Sequence, residues 1–178
     1  MSKIILLNKP FGVLSQFTGE PGQRTLAEFG LPARIYAAGR LDSDSEGLLL
    51  LTDDGTLQHR LADPRHKQVK TYLVEVEREP DAAALAALSS GLDLGDFVTQ
   101  PCEARLITTP EWLWSRDPPV RFRKSVPTAW LEIRLREGKN RQVRRMTAKA
   151  GFPTLRLLRV AIGPYQLGEL QPGQWCVA

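Results

Sequence analysis

The chain has 178 residues, of which 42% are hydrophobic and 25% are charged, and its formal net charge is +4. This length suffices for one compact domain, or for two lobes that share a core, and the scattered glycines and prolines argue against linkers and low-complexity tracts. The first apolar run, Ile4–Leu7, is too short for a signal peptide or a membrane-spanning helix, and two cysteines without a C-x-x-C pairing disfavour a zinc or disulfide framework.

The first part of the chain predicts short elements around one strongly apolar strand. In order, these are a strand at Ile4–Leu7, a turn at Pro10–Gly12, one or two helical turns over Arg24–Phe29, a strand at Leu48–Leu51 and a helix over Thr56–Asp63. Four consecutive leucines, bounded by Gly47 and by the turn signal Asp54–Gly55, are typical of a strand buried on both faces. The loop before this strand is therefore expected to be anchored on a rigid core element.

The second part of the chain predicts alternating strands and two helices. They are a strand over Lys70–Glu77, an Ala-rich helix capped by Asp81 and ending at Ser89–Gly91, a strand over Thr128–Arg136, a helix over Arg141–Ala150, a strand over Thr154–Ala161 and an irregular tail. Alternation places Tyr72, Val74 and Val76 on one face and predicts that their strand is half-buried. Because strands outnumber helices and alternate like hairpins, we expect an α+β fold with a mixed, mostly antiparallel sheet and flanking helices.

Positive charge is concentrated in the last third of the chain. Between Arg134 and Arg159 there are nine Lys or Arg residues and one acid. A second basic cluster, Arg116, Arg121, Arg123 and Lys124, follows the tryptophan-rich segment Trp112–Trp114. This placement favours a polyanionic partner, although clustered surface charge is also common in proteins that bind no anion.

Several carboxylates lie just before and after the leucine strand, at Asp42, Asp44, Glu46 and Asp53. The first three resemble the start of an EF-hand loop, but the twelfth position is Asp rather than a bidentate Glu, and leucines fill positions that should face solvent. For Asp44 and Glu46 we expect a solvated loop. Asp42 is either an ion-pair partner of Arg40 or a reactive carboxylate, and a metal-dependent nuclease using Asp42, Asp44 and Asp53 is a distant alternative.

Five segments follow one another in an order typical of a known enzyme family. They are Asn8–Ser15, Gly39–Gly55, Lys70–Val76, Glu137–Met146 and Leu157–Pro164. Together they span nearly the whole chain, and they resemble the pseudouridine synthases of the RsuA branch. Two further segments, Trp112–Trp114 and Arg123–Ser125, resemble most closely the members that act on large-subunit ribosomal RNA.

The resemblance implies an enzyme that flips a uridine out of ribosomal RNA of the large subunit and isomerises it to pseudouridine without a cofactor or a metal. It implies a single catalytic domain over residues 1–178, with two lobes around a central cleft and no N-terminal S4-like domain. We expect a cytoplasmic monomer that binds no membrane. The main alternative is a catalytically inactive RNA-binding or assembly factor that keeps the basic helix.

The same resemblance assigns roles to individual residues. Asp42 is the essential carboxylate, acting either as a nucleophile or as the base that removes a ribose proton, and Arg144 pairs with it. Tyr72 stacks on the uracil, with packing in the core as its alternative role. The residues expected to contact RNA or line the pocket are Arg40, Lys70, Lys139, Arg141, Arg145 and Leu158, of which Leu158 could equally be plain core.

Overall fold

A computed structural model describes residues 2–66 and 68–178, which form nine strands and three α-helices. The strands are β1 (Ile4–Lys9), β2 (Tyr36–Ala37), β3 (Glu46–Thr52), β4 (Lys70–Glu77), β5 (Glu103–Ile107), β6 (Thr128–Leu135), β7 (Thr154–Ile162), β8 (Tyr165–Gln166) and β9 (Trp175–Val177). The helices are α1 (Gly55–Ala62), α2 (Ala82–Ser90) and α3 (Gln142–Lys149). The chain divides into two compact units, the first comprising Met1–Gln68 and Leu158–Ala178 and the second Val69–Leu157.

Strand β3 is the centre of the first unit, and every one of its residues is buried, as the leucine run predicted. It pairs antiparallel with β1 from Gly47 to Thr52 and with β2 at its C-terminal end, while β9 extends the sheet beyond β1. A core cluster under these strands consists of Ile5, Leu7, Val13, Leu26, Ile35, Leu41, Leu49 and Leu51. The loop that precedes β3 contributes Leu41 to this cluster, and the burial of Leu41 anchors the loop on the core.

One parallel crossing joins β3 to β7 at the start of the leucine run. Glu46 and Gly47 lie opposite Leu158 and Arg159, respectively. Gly47 has a φ of 105°, and a Cβ atom at this position would lie 2.2 Å from the carbonyl oxygen of Arg159. Only glycine allows the two backbones to approach so closely. The guanidinium Nε of Arg159 also donates a hydrogen bond of 3.0 Å to the carbonyl oxygen of Leu48.

The second unit is organised around the antiparallel pair β4 and β6. Their register runs from Lys70 opposite Leu135 to Glu77 opposite Thr128, and β5 pairs with the other edge of β6. Side chains from these strands and from α2 and α3 form the second core cluster: Tyr72, Val74, Val76, Leu88, Leu131, Ile133, Leu135, Val143, Met146 and Leu157. The face of β4 predicted to carry Tyr72, Val74 and Val76 therefore lies in one core with side chains of β6 and α3.

The α+β class and the mainly antiparallel sheet are confirmed, since β3–β7 is the one parallel pair among those whose register is described. The three helices predicted over Thr56–Asp63, after Asp81 and over Arg141–Ala150 are present to within about one residue at either end, and the turns predicted over Arg24–Phe29 form a short 3-10 helix at Leu26–Phe29. The tail predicted to be irregular instead contains β8, which pairs with β7, and β9, which pairs with the free edge of β1. No helix of the described part of the chain combines the length and the apolar character needed to span a bilayer.

The prediction that β4 is half-buried is wrong, because its second face is covered as well. Leu73, Glu75 and Glu77 are at most 8% exposed. The two carboxylates on this face have partners: Glu75 accepts a hydrogen bond from the hydroxyl of Thr128, and Glu77 accepts one from the guanidinium of Arg123. Alternation revealed which residues share a face but not that a later loop covers the polar face.

Candidate active site

The loop that carries Asp42 is held by the N-terminal motif Asn8–Ser15. The hydroxyl of Ser15 donates to the carbonyl oxygen of Leu41 at 2.6 Å and accepts from the amide of Leu41 at 3.1 Å. On the other side of Asp42, the amide of Gly12 donates to the carbonyl oxygen of Ser43 at 2.6 Å. The backbone is therefore fixed immediately before and after Asp42, whose side chain is half-buried.

Lys9 lies at the centre of this arrangement and is fully buried. Its Nζ donates hydrogen bonds to the carbonyl oxygens of Pro10 and Val13, both at 2.8 Å, and to that of Ser43 at 3.4 Å. An ammonium group has three donors, so these three acceptors satisfy it fully. Sequence analysis placed Lys9 in a motif but gave it no role, because a lone lysine is most often a solvated residue.

Burial and nearby carboxylates have opposite effects on the pKa of Lys9. Burial lowers the pKa of the Lys9 ammonium to about 7, and the nearby carboxylates of Glu46, Asp44 and Asp42 oppose that shift. The expectation that Glu46 lies in a solvated loop is wrong, since Glu46 is the first residue of β3 and only 2% exposed. Its carboxylate contributes to the field that keeps a positive charge possible in the interior.

The two carboxylates that directly follow the leucine strand, Asp53 and Asp54, have hydrogen-bond partners in the first unit. Asp53 accepts a hydrogen bond from the backbone amide of Lys3 at 2.9 Å, and Asp54 caps α1 by accepting from the amides of Thr56 and Leu57. Among the described residues, no group of three His, Cys, Asp or Glu side chains is arranged to hold a metal ion. The geometry of the described residues therefore lends the nuclease alternative no support.

Two further predicted residues lie in the first unit. The guanidinium Nη2 of Arg40 is 3.0 Å from Oε1 of Gln16, to which it donates, and the residue is exposed. Leu158 is fully buried, opposite Glu46 in the β3–β7 pair. Arg40 is thus available to a ligand in solution, whereas Leu158 has the burial of a core residue.

The remaining predicted residues lie in the second unit, where β4 carries two of them. Tyr72 belongs to the core cluster and is 9% exposed. Lys70, at the start of the same strand, donates from Nζ to the carbonyl oxygen of Arg136 at 3.3 Å. The burial of Tyr72 fits the core role that sequence analysis left open beside base stacking, and only substitution separates the two.

A cavity of about 460 Å³ lies at the N-terminal end of α3 within the second unit. We call it the cationic cavity, and it is lined by Asp96, Phe97, Lys139, Asn140, Arg141, Arg144 and Arg145. Four of these side chains are basic and one is acidic. The cavity brings together four of the residues that the sequence predicted, namely Lys139, Arg141, Arg144 and Arg145.

The acidic residue of the cationic cavity is bound to one of its arginines. Arg145 donates from Nη1 to Oδ2 of Asp96 at 3.2 Å and from Nη2 to the carbonyl oxygen of Leu94 at 3.2 Å. The hydrogen bond from this guanidinium is the main reason why the pKa of Asp96 is lowered. Arg145 was predicted to contact RNA, and here its charge is already shared with the exposed carboxylate of Asp96.

Phe97 provides an aromatic surface in the same cavity. The Nζ of Lys139 lies 4.5 Å from the centre of its ring, and the guanidinium carbon of Arg145 lies 5.5 Å from it. Both distances are within the range of cation–π attraction. Sequence analysis missed Asp96 and Phe97, because they lie between α2 and β5, far from any motif in the chain.

Comparison with known proteins gives a consistent result across the chain. A family model described as RNA pseudouridylate synthase matches residues 3–149. The chain is 64% identical over 176 residues to the ribosomal large subunit pseudouridine synthase E of Xanthomonas campestris, covering 98% of this chain and 94% of that protein. It is 54% identical to the protein of the same name from Vibrio vulnificus, covering 97% of this chain and 74% of the relative.

A solved structure shares the fold over the full length of the chain. It is described as a pseudouridylate synthase, superimposes with a TM-score of 0.79 at 29% identity, and is covered to 70% by this chain. The resemblance inferred from the five motifs and from the two shorter segments is therefore confirmed.

Lys9→Met should alter how stability depends on pH. The pKa of Lys9 in the folded protein, about 7, lies below the ordinary lysine value of 10.5, so between these two pH values the unfolded chain binds a proton that the folded protein lacks. Between these two pH values Lys9 makes the free energy of unfolding rise with pH, by up to about 1.4 kcal/mol per pH unit. Below the folded pKa, Lys9 is protonated in both states and contributes no such pH dependence. Lys9→Met removes this slope.

Urea unfolding of the wild type and of Lys9→Met, at a series of pH values between about 6 and 9, measures the effect. Lys3→Met is the matched control, since Lys3 is an exposed lysine immediately before β1, whereas Lys9 is the buried last residue of that strand. Parallel curves for the wild type and Lys9→Met would show that Lys9 stays protonated throughout this range.

Proposed function

The chain belongs to the RNA pseudouridine synthase family, and we propose that it isomerises a specific uridine of large-subunit ribosomal RNA to pseudouridine. The observation that carries this proposal is end-to-end similarity to relatives whose names state that activity. The backbone around Asp42 adds a physical argument, since a reacting group must be held by a rigid support. Hydrogen bonds from Ser15 and Gly12 supply that support on both sides of the residue.

The reaction breaks the C1′–N1 glycosidic bond, rotates the uracil and joins its C5 atom to C1′, with loss of the C5 hydrogen. The base must first leave its stack, at a cost of a few kcal/mol. We assign the essential carboxylate to Asp42, which either attacks the nucleoside or removes a ribose proton. Its half-buried position leaves the carboxylate reachable while its loop is fixed.

Arg144 and Tyr72 have proposed roles that rest on the resemblance. Arg144, half-buried on the flank of α3, is the proposed ion-pair partner of Asp42. Tyr72 stacks on the flipped uracil, an interaction worth about 1–3 kcal/mol, and its hydroxyl assists proton transfer. The stacking energy offsets much of the cost of removing the base from its helix.

The cationic cavity is the proposed binding surface for the RNA backbone. Lys139 and Arg141 are exposed in it and can each contact a phosphate. Arg145 can do so after it exchanges the carboxylate of Asp96 for a phosphate oxygen. Arg40 and Lys70 are the remaining proposed RNA contacts, and Leu158 the proposed pocket wall.

The enzyme is proposed to act as a monomer in the cytoplasm, without a cofactor or metal ion. An inactive RNA-binding factor would also need the cationic cavity, but it would not need an Asp42 whose backbone is held on both sides by hydrogen bonds. The decisive assay is tritium release from ribosomal RNA labelled at uridine C5, carried out with a chelator present. Failure to release tritium from any ribosomal RNA would favour the binding factor.

Asp42→Asn should abolish tritium release while RNA affinity and thermal stability stay close to those of the wild type, because the change removes charge but little volume. Single-turnover rates, binding curves and melting temperatures test each part. Asp44→Asn is the matched control and should be active, since it neutralises a carboxylate two residues away. If Asp42→Asn retained a rate within tenfold of wild type, about 1.4 kcal/mol in barrier, Asp42 would not be the essential group.

Tyr72→Phe and Tyr72→Ala should separate the proposed catalytic role from core packing. Phe keeps the ring, so we expect wild-type stability and RNA affinity with a clearly slower single turnover. Ala should also lower the stability by about 3–5 kcal/mol, because the ring belongs to the core cluster. Normal turnover by Tyr72→Phe, measured beside thermal melts of both variants, would make Tyr72 a core residue only.

Asp96→Asn should strengthen RNA binding, because it releases Arg145 to contact phosphate. We expect tighter binding and a steeper log–log salt dependence, by about 0.7–0.9 for one added phosphate contact, whereas Arg141→Gln should reduce the slope by a similar amount. Glu79→Gln is the control for net charge, since Glu79 is an exposed acid of the same unit. Equal effects of Asp96→Asn and Glu79→Gln would mean that Asp96 does not compete with RNA.

A further inference from the structure

Residues 108–127 form an unusually long connection between two neighbouring strands. Ile107, at the end of β5, pairs with Trp130 near the start of β6, and antiparallel neighbours of this kind need only about 2–5 residues between them. The described residues 108–127 contain neither helix nor strand. Structureless loops longer than about 12–15 residues are uncommon in compact domains and usually serve a function. We call this loop the aromatic–basic segment.

The aromatic–basic segment is held in place by two arginines. Arg116 donates from Nε to the carbonyl oxygen of Pro118 at 2.8 Å and from Nη2 to that of Pro119 at 3.2 Å. Arg156, a residue of β7 that is 5% exposed, donates from Nη2 to the carbonyl oxygen of Trp114 at 3.0 Å. The middle of the loop is therefore fixed by specific hydrogen bonds, one of which comes from a buried arginine of β7.

The second half of the segment is tied to β4. The Nε of Arg123 donates to Oε1 of Glu77 at 3.0 Å, and its Nη2 donates to the other carboxylate oxygen. Glu77 is 8% exposed, so the carboxylate is mostly shielded from water by the segment itself. A charged hydrogen-bonded pair in this position fixes the loop more firmly than a fully exposed pair would.

Two aromatic rings nevertheless face solvent on this fixed loop. Trp112 is 51% exposed and Phe122 is 54% exposed. The ring of Trp112 lies 5.8 Å from that of Trp114, with a tilt of 45° between the planes, so Trp114 supports it from one side. The guanidinium carbon of Arg156 lies 6.0 Å from the ring centre of Trp114 and supports it in turn. An exposed indole that is already ordered loses little entropy when it binds a flat partner.

The charged residues around these rings indicate which kind of partner the surface fits. Arg121 and Lys124 are exposed beside Phe122, while the acids of the segment are Glu111 and Asp117. Basic residues therefore outnumber acids in the segment. Proteins bind single-stranded nucleic acids with surfaces of this kind, on which exposed aromatic rings stack with bases and neighbouring cations contact phosphates. A docking surface for a protein would instead present a broad apolar patch.

The segment is far from the cationic cavity within the second unit. It precedes the Thr128 end of β6, which pairs with Glu77, whereas Lys139 and α3 follow the Leu135 end, which pairs with Lys70. At the rise of an extended strand these ends are about 23 Å apart. One nucleotide cannot contact both surfaces.

We propose that the aromatic–basic segment is a second RNA-contact surface, on which Trp112 stacks with an unpaired base other than the reacting uridine while Arg121 and Lys124 contact neighbouring phosphates. This inference rests on the proposed function, because the ligand is the substrate RNA. The cationic cavity is proposed to bind RNA through phosphate contacts. The aromatic–basic segment adds a base-stacking contact to these. It therefore favours substrates with unpaired nucleotides at a set distance from the target.

The test compares binding of the full-length protein to a single-stranded and a duplex RNA of equal length, by fluorescence anisotropy over a range of salt. Trp112→Ala should weaken single-strand binding by about 5- to 150-fold, the loss of one stacked base, with no change in salt dependence. Trp112→Phe should restore most of the affinity. Combined Arg121→Gln and Lys124→Gln should instead reduce the slope by about 1.4, for two contacts to a single strand.

Tyr36→Ala is the matched control, because Tyr36 is an aromatic residue that is 54% exposed in the first unit. It should leave RNA affinity unchanged. Affinity of Trp112→Ala within about twofold of wild type, or equal losses for Trp112→Ala and Tyr36→Ala, would overturn the proposal and leave the segment as a surface for a protein. An equal loss of affinity by Trp112→Phe would overturn it too, since the aromatic face is then not what binds.

Tritium release at saturating RNA separates this inference from the proposed function. Trp112→Ala should reach the wild-type single-turnover rate once RNA is saturating, because the segment binds RNA and takes no part in the chemistry. A rate that stays low at saturation would contradict a docking role. Absence of release by the wild-type protein would defeat the proposed function, whatever the Trp112 variants show in binding.

Discussion

The buried ammonium of Lys9 is the interaction on which the first unit's candidate site depends. It joins the N-terminal motif to the loop around Asp42 through carbonyl oxygens of Pro10, Val13 and Ser43. Burying a charge is costly, and burial has lowered the pKa of Lys9 to about 7. The carboxylates around it recover part of that cost, which explains why an acid as close to the core as Glu46 is tolerated. The attraction between Lys9 and these carboxylates stabilises the loop that carries Asp42, the residue to which we assign the essential carboxylate.

The leucine strand β3 supplies the stiffness that this arrangement needs. Its side chains are buried on both faces, so the strand cannot shift without exposing apolar surface. The parallel crossing at Gly47 adds a second restraint, since the Arg159 carbonyl oxygen would lie 2.2 Å from any Cβ there. The loop that ends at Ser45 therefore joins a strand fixed in position and register. Rigidity of this kind holds a reactive group in place better than hydrogen bonds of the loop alone could.

Much of the fold could be predicted from local pattern. The buried β3, the capped helix α2 and the helix α3 all follow from periodicity and end signals that lie within a few residues of each element. The strands β8 and β9 could not be predicted, because they form by pairing with distant edges and carry no strong pattern of their own. The burial of Glu46 and Glu77 could not be predicted for the same reason: their partners lie elsewhere in the chain.

The candidate site shows the same division between local and distant information. Motifs in the chain named Asp42 and the basic residues of α3, but not the partners that determine how much charge each one offers. A count of basic residues from Arg134 to Arg159 treats every cation as available to RNA. In the structure Arg145 pairs with Asp96, and Arg123 of the second basic cluster pairs with Glu77, so part of the positive charge stabilises the protein itself. What binds RNA is then a smaller set of exposed cations, and their positions on the fold decide which nucleotides they can reach.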